Sequence, residues 1–298
     1  MAVPSAAPDH RMYTVELPLC SLHVMEAGSG SPLVIVPATI SELENWVDLV
    51  RFAGQWFRAY FFELPGHGES TALPQAFTSD LVATVVAQLV DHIGAERFNL
   101  MGFSFGGLLA MKTFLLLHER IDRVVLISPC MTKRALRLTD TQRFAAVQFN
   151  RLLKMHGIQS QLHRAAQKKE YSRILARFIQ LVGKVENRQH LERKLAKMQP
   201  SLIEIVSRQL DEILNAEFPP PTTKYETPCH VAMSIRDPLL HYATTIEELR
   251  HHFRNLHVTD LYFPFHQPPR PFTLDELNAS FQTTVATMLI APQRSGGF

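Results

Sequence analysis

The sequence predicts an α/β fold: a mostly parallel central sheet flanked by helices, with an all-helical segment inserted after the sixth strand. Three observations carry this. Short apolar runs at 32–36 (PLVIV), 58–63 (RAYFFE), 97–102 (RFNLMG) and 123–128 (RVVLIS) have the length and the β-branched or aromatic character of buried strands. Helix-like stretches near 43–57, 79–93 and 105–118 separate them, and strands alternating with helices pair in parallel through right-handed crossovers. From about Met131 to Lys224 the strand-like runs stop, and 139–157, 158–183, 188–198 and 201–218 read as amphipathic helices.

The remaining elements follow in order. MYTVEL (12–17) and CSLHVMEA (20–27) alternate loosely between apolar and polar, as half-buried antiparallel strands at a sheet edge do. Beyond the helical segment, PPPTT (219–223) marks the return to the sheet, with strands at 229–235 and 257–263 and helices at 244–253 and 273–289. The expected organisation is a core of residues 1–130 and 226–298, carrying a helical cap at 131–225.

Composition narrows the function classes. The 298 residues are 46% hydrophobic and 19% charged, which gives ample core and excludes disorder and collagen. A formal net charge of +2 argues against general nucleic-acid binding, which needs a marked basic excess. Cys20, Cys130 and Cys229 are odd in number and far apart, so they suggest neither a disulfide framework nor a zinc site. The first residues lack the apolar stretch of a secretory signal, and the longest apolar run, Leu108 to Leu117, is short and broken by Lys112. A soluble, cytoplasmic protein with no membrane span is expected.

The sharpest chemical signal is Gly102-Phe103-Ser104-Phe105-Gly106, which closes a predicted strand and opens a predicted helix. Small residues on both flanks permit a tight turn that strains Ser104 and presents its hydroxyl above the sheet edge. The helix N-terminus behind it supplies amide donors and the positive end of a dipole. A serine hydroxyl is a poor nucleophile at neutral pH and needs a base, which in turn needs an orienting group. Asp237 falls just past the strand at 229–235 and His266 just past the strand at 257–263, so both loops leave the same sheet edge as Ser104. In this reading His266 takes the Ser104 proton and later protonates the leaving group, while Asp237 holds the imidazole tautomer. Each has a plainer alternative: His266 sits in a proline-rich loop, and Asp237 starts an Asp-Pro turn. Asp260 is a poorer acid, lying inside a predicted strand. His241, His251, His252 and His257 lack metal-ligand spacing and read as solvated or capping residues.

With these residues in place, the chain resembles the alpha/beta-hydrolase superfamily over 20–130 and 226–290, with 131–225 in the position of that family's variable helical cap. FELPGHGES (62–70) is similar to the family's strand-end motif, with Glu63 where Asp is usual, and VPATISELENW (36–46) matches the stretch that usually reads His-Gly before a downstream Trp. The resemblance implies an oxyanion hole formed by the backbone N–H groups of Phe105 and Thr39. Three departures stand out: Pro37-Ala38 replaces His-Gly, Phe265 stands where Gly commonly precedes the histidine, and Pro238 follows Asp237 directly.

Residues 131–225 hold 18 Lys+Arg and 8 Asp+Glu, leaving 12 and 20 for the rest. The excess has two readings: solvated heads on outer helix faces, or attraction of an anionic or carrier-bound acyl substrate toward the nucleophile. Phe144, Phe149, Leu152, Leu153, Ile174, Leu175, Phe178 and Leu181 recur at near-helical spacing and would give the cap an apolar inner face or internal packing. Three functions follow: a serine hydrolase cleaving an ester or thioester, an acyltransferase on the same scaffold, and a degenerate small-molecule binder. The first requires no metal, nucleotide or flavin.

Overall fold

Eight strands form one sheet in the order β1-β2-β4-β3-β5-β6-β7-β8. The computed structural model describes residues 8–39, 42–154, 200–268 and 270–281. The strands are β1 (His10–Glu16), β2 (Ser21–Ala27), β3 (Pro32–Val36), β4 (Arg58–Phe62), β5 (Phe98–Phe103), β6 (Ile121–Ile127), β7 (Cys229–Ser234) and β8 (Leu256–Leu261). β2 runs antiparallel to both β1 and β4, and every pairing from β4 through β8 is parallel. This bears out the mostly parallel sheet with an antiparallel hairpin at one edge. The inner parallel strands are buried almost end to end, which is why they read as unbroken apolar runs rather than as alternating ones, whereas the edge strand β8 is only partly covered.

Two apolar layers cover the sheet. α2 (Ser79–His92) and α3 (Phe105–Leu117) pack on one face, around Val34, Val36, Leu100, Val124 and Leu126. α1 (Val47–Ala53) packs on the other, around Leu33, Ile35, Phe61, Met101 and Val125. α2 starts where the Thr78 side chain accepts the Leu81 N–H at 3.2 Å, satisfying one unpaired amide of the first turn. The helix predicted at 43–57 is shorter: a 3-10 turn at Leu43–Trp46 leads into α1, which stops as the Gly54 N–H bonds to the Val50 carbonyl.

β6 leads into α4 (Asp140–Leu153), opened by a capping box between Thr139 and Gln142. α5 (Pro200–Asn215) leads back toward β7. The two helices are joined by polar contacts: the fully buried Ser207 hydroxyl donates to Asn150 at 2.7 Å, and Asn150 donates to Asp211 at 2.6 Å. Leu153 is buried, whereas Phe144 is 66% and Leu152 48% exposed, so the described part of the stripe, on α4, does not lie on one buried face. The predicted helices at 158–183 and 188–198, with Ile174, Leu175, Phe178 and Leu181, lie outside the described residues. α6 (Tyr242–His252) connects β7 to β8, and a last helix starts at 274. Among the described residues, no helix is long and apolar enough to cross a membrane.

Candidate active site

Ser104 is the single residue that turns β5 into α3, at φ 51° and ψ −117°. Side chains with a Cβ avoid positive φ, and holding one there costs on the order of 1–3 kcal/mol. The surroundings enforce it. The Ser104 N–H donates to the Ile127 carbonyl at 3.0 Å, and its carbonyl accepts the N–H groups of Gly107 and Cys130, both at 2.9 Å. The flanking glycines are required by contact: a Cβ on Gly102 would lie 2.3 Å from the Gly106 carbonyl oxygen, and one on Gly106 would lie 2.4 Å from that of Val36. Gly107, not singled out by the sequence reading, is equally constrained, since a Cβ there would lie 2.5 Å from the Pro129 ring.

The Ser104 hydroxyl is 2.7 Å from Nε2 of His266, and Nδ1 of His266 is 2.8 Å from Oδ2 of Asp237. Asp237 is fully buried, and the His266 side chain is 9% exposed. The other oxygen of Asp237 accepts the N–H groups of Leu239 and Leu240 at 2.8 and 2.9 Å, so the carboxylate both caps its Asp-Pro turn and faces the imidazole. An ionised carboxylate only accepts, which puts the shared proton on Nδ1 and leaves the Nε2 lone pair toward the serine hydroxyl.

Phe105 opens α3, so its N–H has no intrahelical acceptor and points out of the helix with the positive end of the dipole. The tight contact of Gly106 with Val36 and Pro37 sets the loop carrying Thr39 beside that first turn. Trp46 stacks on Phe61 at 5.5 Å and packs against Phe103 at 5.6 Å. Buried Glu63 accepts the Glu69 N–H at 2.6 Å and shapes the 63–70 turn. Burial raises its pKa, opposed by that amide, by His23 and by the Leu43 amide, so the carboxylate ties this turn to the segment following Thr39. Gly68, at φ 52°, packs its Cα against the same carboxylate.

A family model described as the alpha/beta hydrolase fold matches residues 31–154. The chain has the alpha/beta-hydrolase fold. It is 29% identical over 119 residues to a pimeloyl-[acyl-carrier protein] methyl ester esterase of Nitrosomonas europaea, covering 39% of this chain and 45% of that protein. It is also 29% identical over 130 residues to a dihydrolipoyllysine-residue acetyltransferase component of the acetoin cleaving system of Pseudomonas putida, covering 44% of this chain and 35% of that protein. The chain thus spans less than half the length of these curated relatives. A crystal structure of a membrane phospholipase A superposes with a TM-score of 0.70 at 17% identity, covering 95% of this chain and 87% of that one.

Within this hydrolase fold, other expectations need correction or placement. His252 is neither solvated nor a cap: it is fully buried, with Nδ1 2.9 Å from the Glu248 carbonyl. His241 and His257 are exposed, as expected: His241 precedes α6 without a side-chain capping bond, and His257 stacks on His230 with ring centroids 4.6 Å apart. Asp260 lies within β8 and accepts the Tyr242 hydroxyl, away from His266. Cys20, Cys130 and Cys229 are buried free thiols. Burial, reinforced by Asp237, pushes the Cys130 thiol up to about 12, which leaves it protonated and inert beside the site.

Proposed function

We propose that the protein is a serine hydrolase that cleaves a carboxylic ester or thioester through an acyl-enzyme on Ser104. The observation that carries this is the continuous chain of hydrogen bonds from the strained Ser104 through His266 to Asp237. As Oγ attacks the substrate carbonyl carbon, its proton passes to Nε2, and the imidazolium is stabilised by the buried carboxylate. The developing oxyanion meets the N–H groups of Phe105 and Thr39, donors worth about 3–4 kcal/mol each in comparable sites. The proton then goes to the leaving alkoxide or thiolate, whose departure leaves Ser104 acylated. Water enters, gives its proton to Nε2 and releases the acid, restoring the serine.

Two further observations support an acyl substrate that is anionic or carried on a protein. The Nitrosomonas relative is named for an ester borne on acyl-carrier protein, and residues 131–225 concentrate 18 of the 30 basic side chains. The acetyltransferase named among the relatives favours a second reading, in which an acceptor hydroxyl or thiol replaces water in the second half-reaction. A panel of p-nitrophenyl esters and acyl thioesters, assayed with and without an added alcohol, separates the two. Hydrolysis gives free acid at a rate independent of the alcohol; transfer gives the new ester. A wild-type protein that turns over none of the panel and resists a fluorophosphonate would refute the hydrolase reading.

A further inference from the structure

We propose that Ser234 is a positioning residue that sets the separation between the acid and the base of the triad; the role rests on the hydrolase reading above. Ser234 is the last residue of β7, and its final register partner on β8 is Leu261. One more rung follows, from the Ile235 N–H to the Leu261 carbonyl at 3.0 Å. Past that point the two strands become the separate loops that carry Asp237 and His266. The Ser234 hydroxyl spans this divergence. It donates to the Phe263 carbonyl at 2.5 Å and accepts the Arg236 N–H at 3.1 Å, while the Ser234 carbonyl accepts the Asp237 N–H at 3.1 Å. One side chain therefore bonds directly to the loop of the base and to the turn of the acid. Further along the same gap, His266 bonds to Asp237 itself.

The connection to His266 is short and stiff. Only Pro264 and Phe265 intervene after Phe263, and the Phe263 ring stacks on Phe265 at 5.1 Å and packs against Phe281 at 6.1 Å. A carbonyl held at one end of such a segment fixes where the imidazole at the other end can stand. The hydroxyl is suited to the task because it is at once a donor, for the carbonyl, and an acceptor, for the amide. Ser234 is 2% exposed, so water cannot take over either bond when the hydroxyl is removed.

The test compares wild type, Ser234→Ala and Ser234→Thr by kcat and KM on a p-nitrophenyl ester, with kcat normalised to sites titrated by a fluorophosphonate. The second readout is the downfield Nδ1 proton resonance of His266 in the proton NMR spectrum. Ser234→Ala is expected to lower kcat per titrated site by about 10–100-fold, as misplacement of catalytic groups does, to leave KM within about 2-fold, and to broaden the resonance away. Ser234→Thr keeps the hydroxyl and should keep both. A loss of stability alone would reduce the number of titrated sites, not their turnover. If alanine prevents folding, Ser234→Cys, of similar shape but a poor donor, takes its place with the same expected result. Wild-type turnover and resonance in the variant lacking the hydroxyl would overturn the proposal. A wild type that shows the resonance but neither turnover nor labelling would refute the hydrolase reading while the resonance still judges the tether, and a wild type without the resonance would contradict the His266 to Asp237 pairing and the tether with it.

Discussion

β7 and β8 set histidines in two places, a pair near the start of the strands and a single one beyond their ends. Near the start, His230 stacks on His257 with ring planes 16° apart, close to the buried Arg123 of β6. Beyond the ends, His266 stands between the Asp237 carboxylate and the Ser104 hydroxyl. Only four positions along β7, about 13 Å of extended chain, lead from His230 to Ser234, which borders the second place. The difference lies in the partners. Burial, with His257 and Arg123 acting in the same direction, pushes His230 down to about 4, so it is a neutral packing group at physiological pH. His266 has a carboxylate to hold one ring proton and a hydroxyl to receive the other nitrogen's lone pair. Residue type is shared; in the proposed mechanism it is the carboxylate on one side and the hydroxyl on the other that make the second ring a base.

This contrast can be broken most severely at the reactive end. Ser104→Ala and His266→Ala should each lower kcat by at least about 10³-fold, measured on the best ester of the panel, because each removes a reacting group. Asp237→Asn should cost about 10²- to 10⁴-fold, since an amide in place of the acceptor no longer fixes the tautomer. His230→Gln should leave kcat within about 2-fold. It should instead change stability against pH: between about 6.5 and 4 the unfolded chain binds the proton before the folded one does, so wild-type stability falls as the pH drops through that window. The cost approaches about 3 kcal/mol once both pKa values are passed, and thermal unfolding at pH 7, 5.5 and 4.5 should show a flatter profile for the variant. His251→Ala, an exposed position on α6, should change neither property measurably.

Much of this arrangement was legible in the sequence because it is local. Strand and helix periods, the glycines around Ser104, and acidic and basic residues each just past a strand are signals within a few positions, and a parallel sheet carries all such loop residues to one edge. His252 could have been read too, for it shares the buried face of α6 with Thr245, Ile246 and Leu249 at helical spacing. The Ser234 tether could not. Its acceptor, Phe263, is 29 positions away, and nothing near residue 234 distinguishes it from any small strand residue. Gly107 likewise acquires its role only when Pro129 arrives from the end of β6. The helix predicted to 57 stops at Gly54, which lies against the end of β2: a Cβ on Gly54 would be 3.1 Å from the Ala27 carbonyl.

The most direct test of the central claim is to acid-quench the wild-type enzyme during turnover of a p-nitrophenyl ester and map the covalent adduct by peptide mass spectrometry. The mass of one acyl group on the peptide carrying Ser104, absent in Ser104→Ala, is the expected result. Turnover that proceeds with no adduct, or with the acyl group on another side chain, would contradict it.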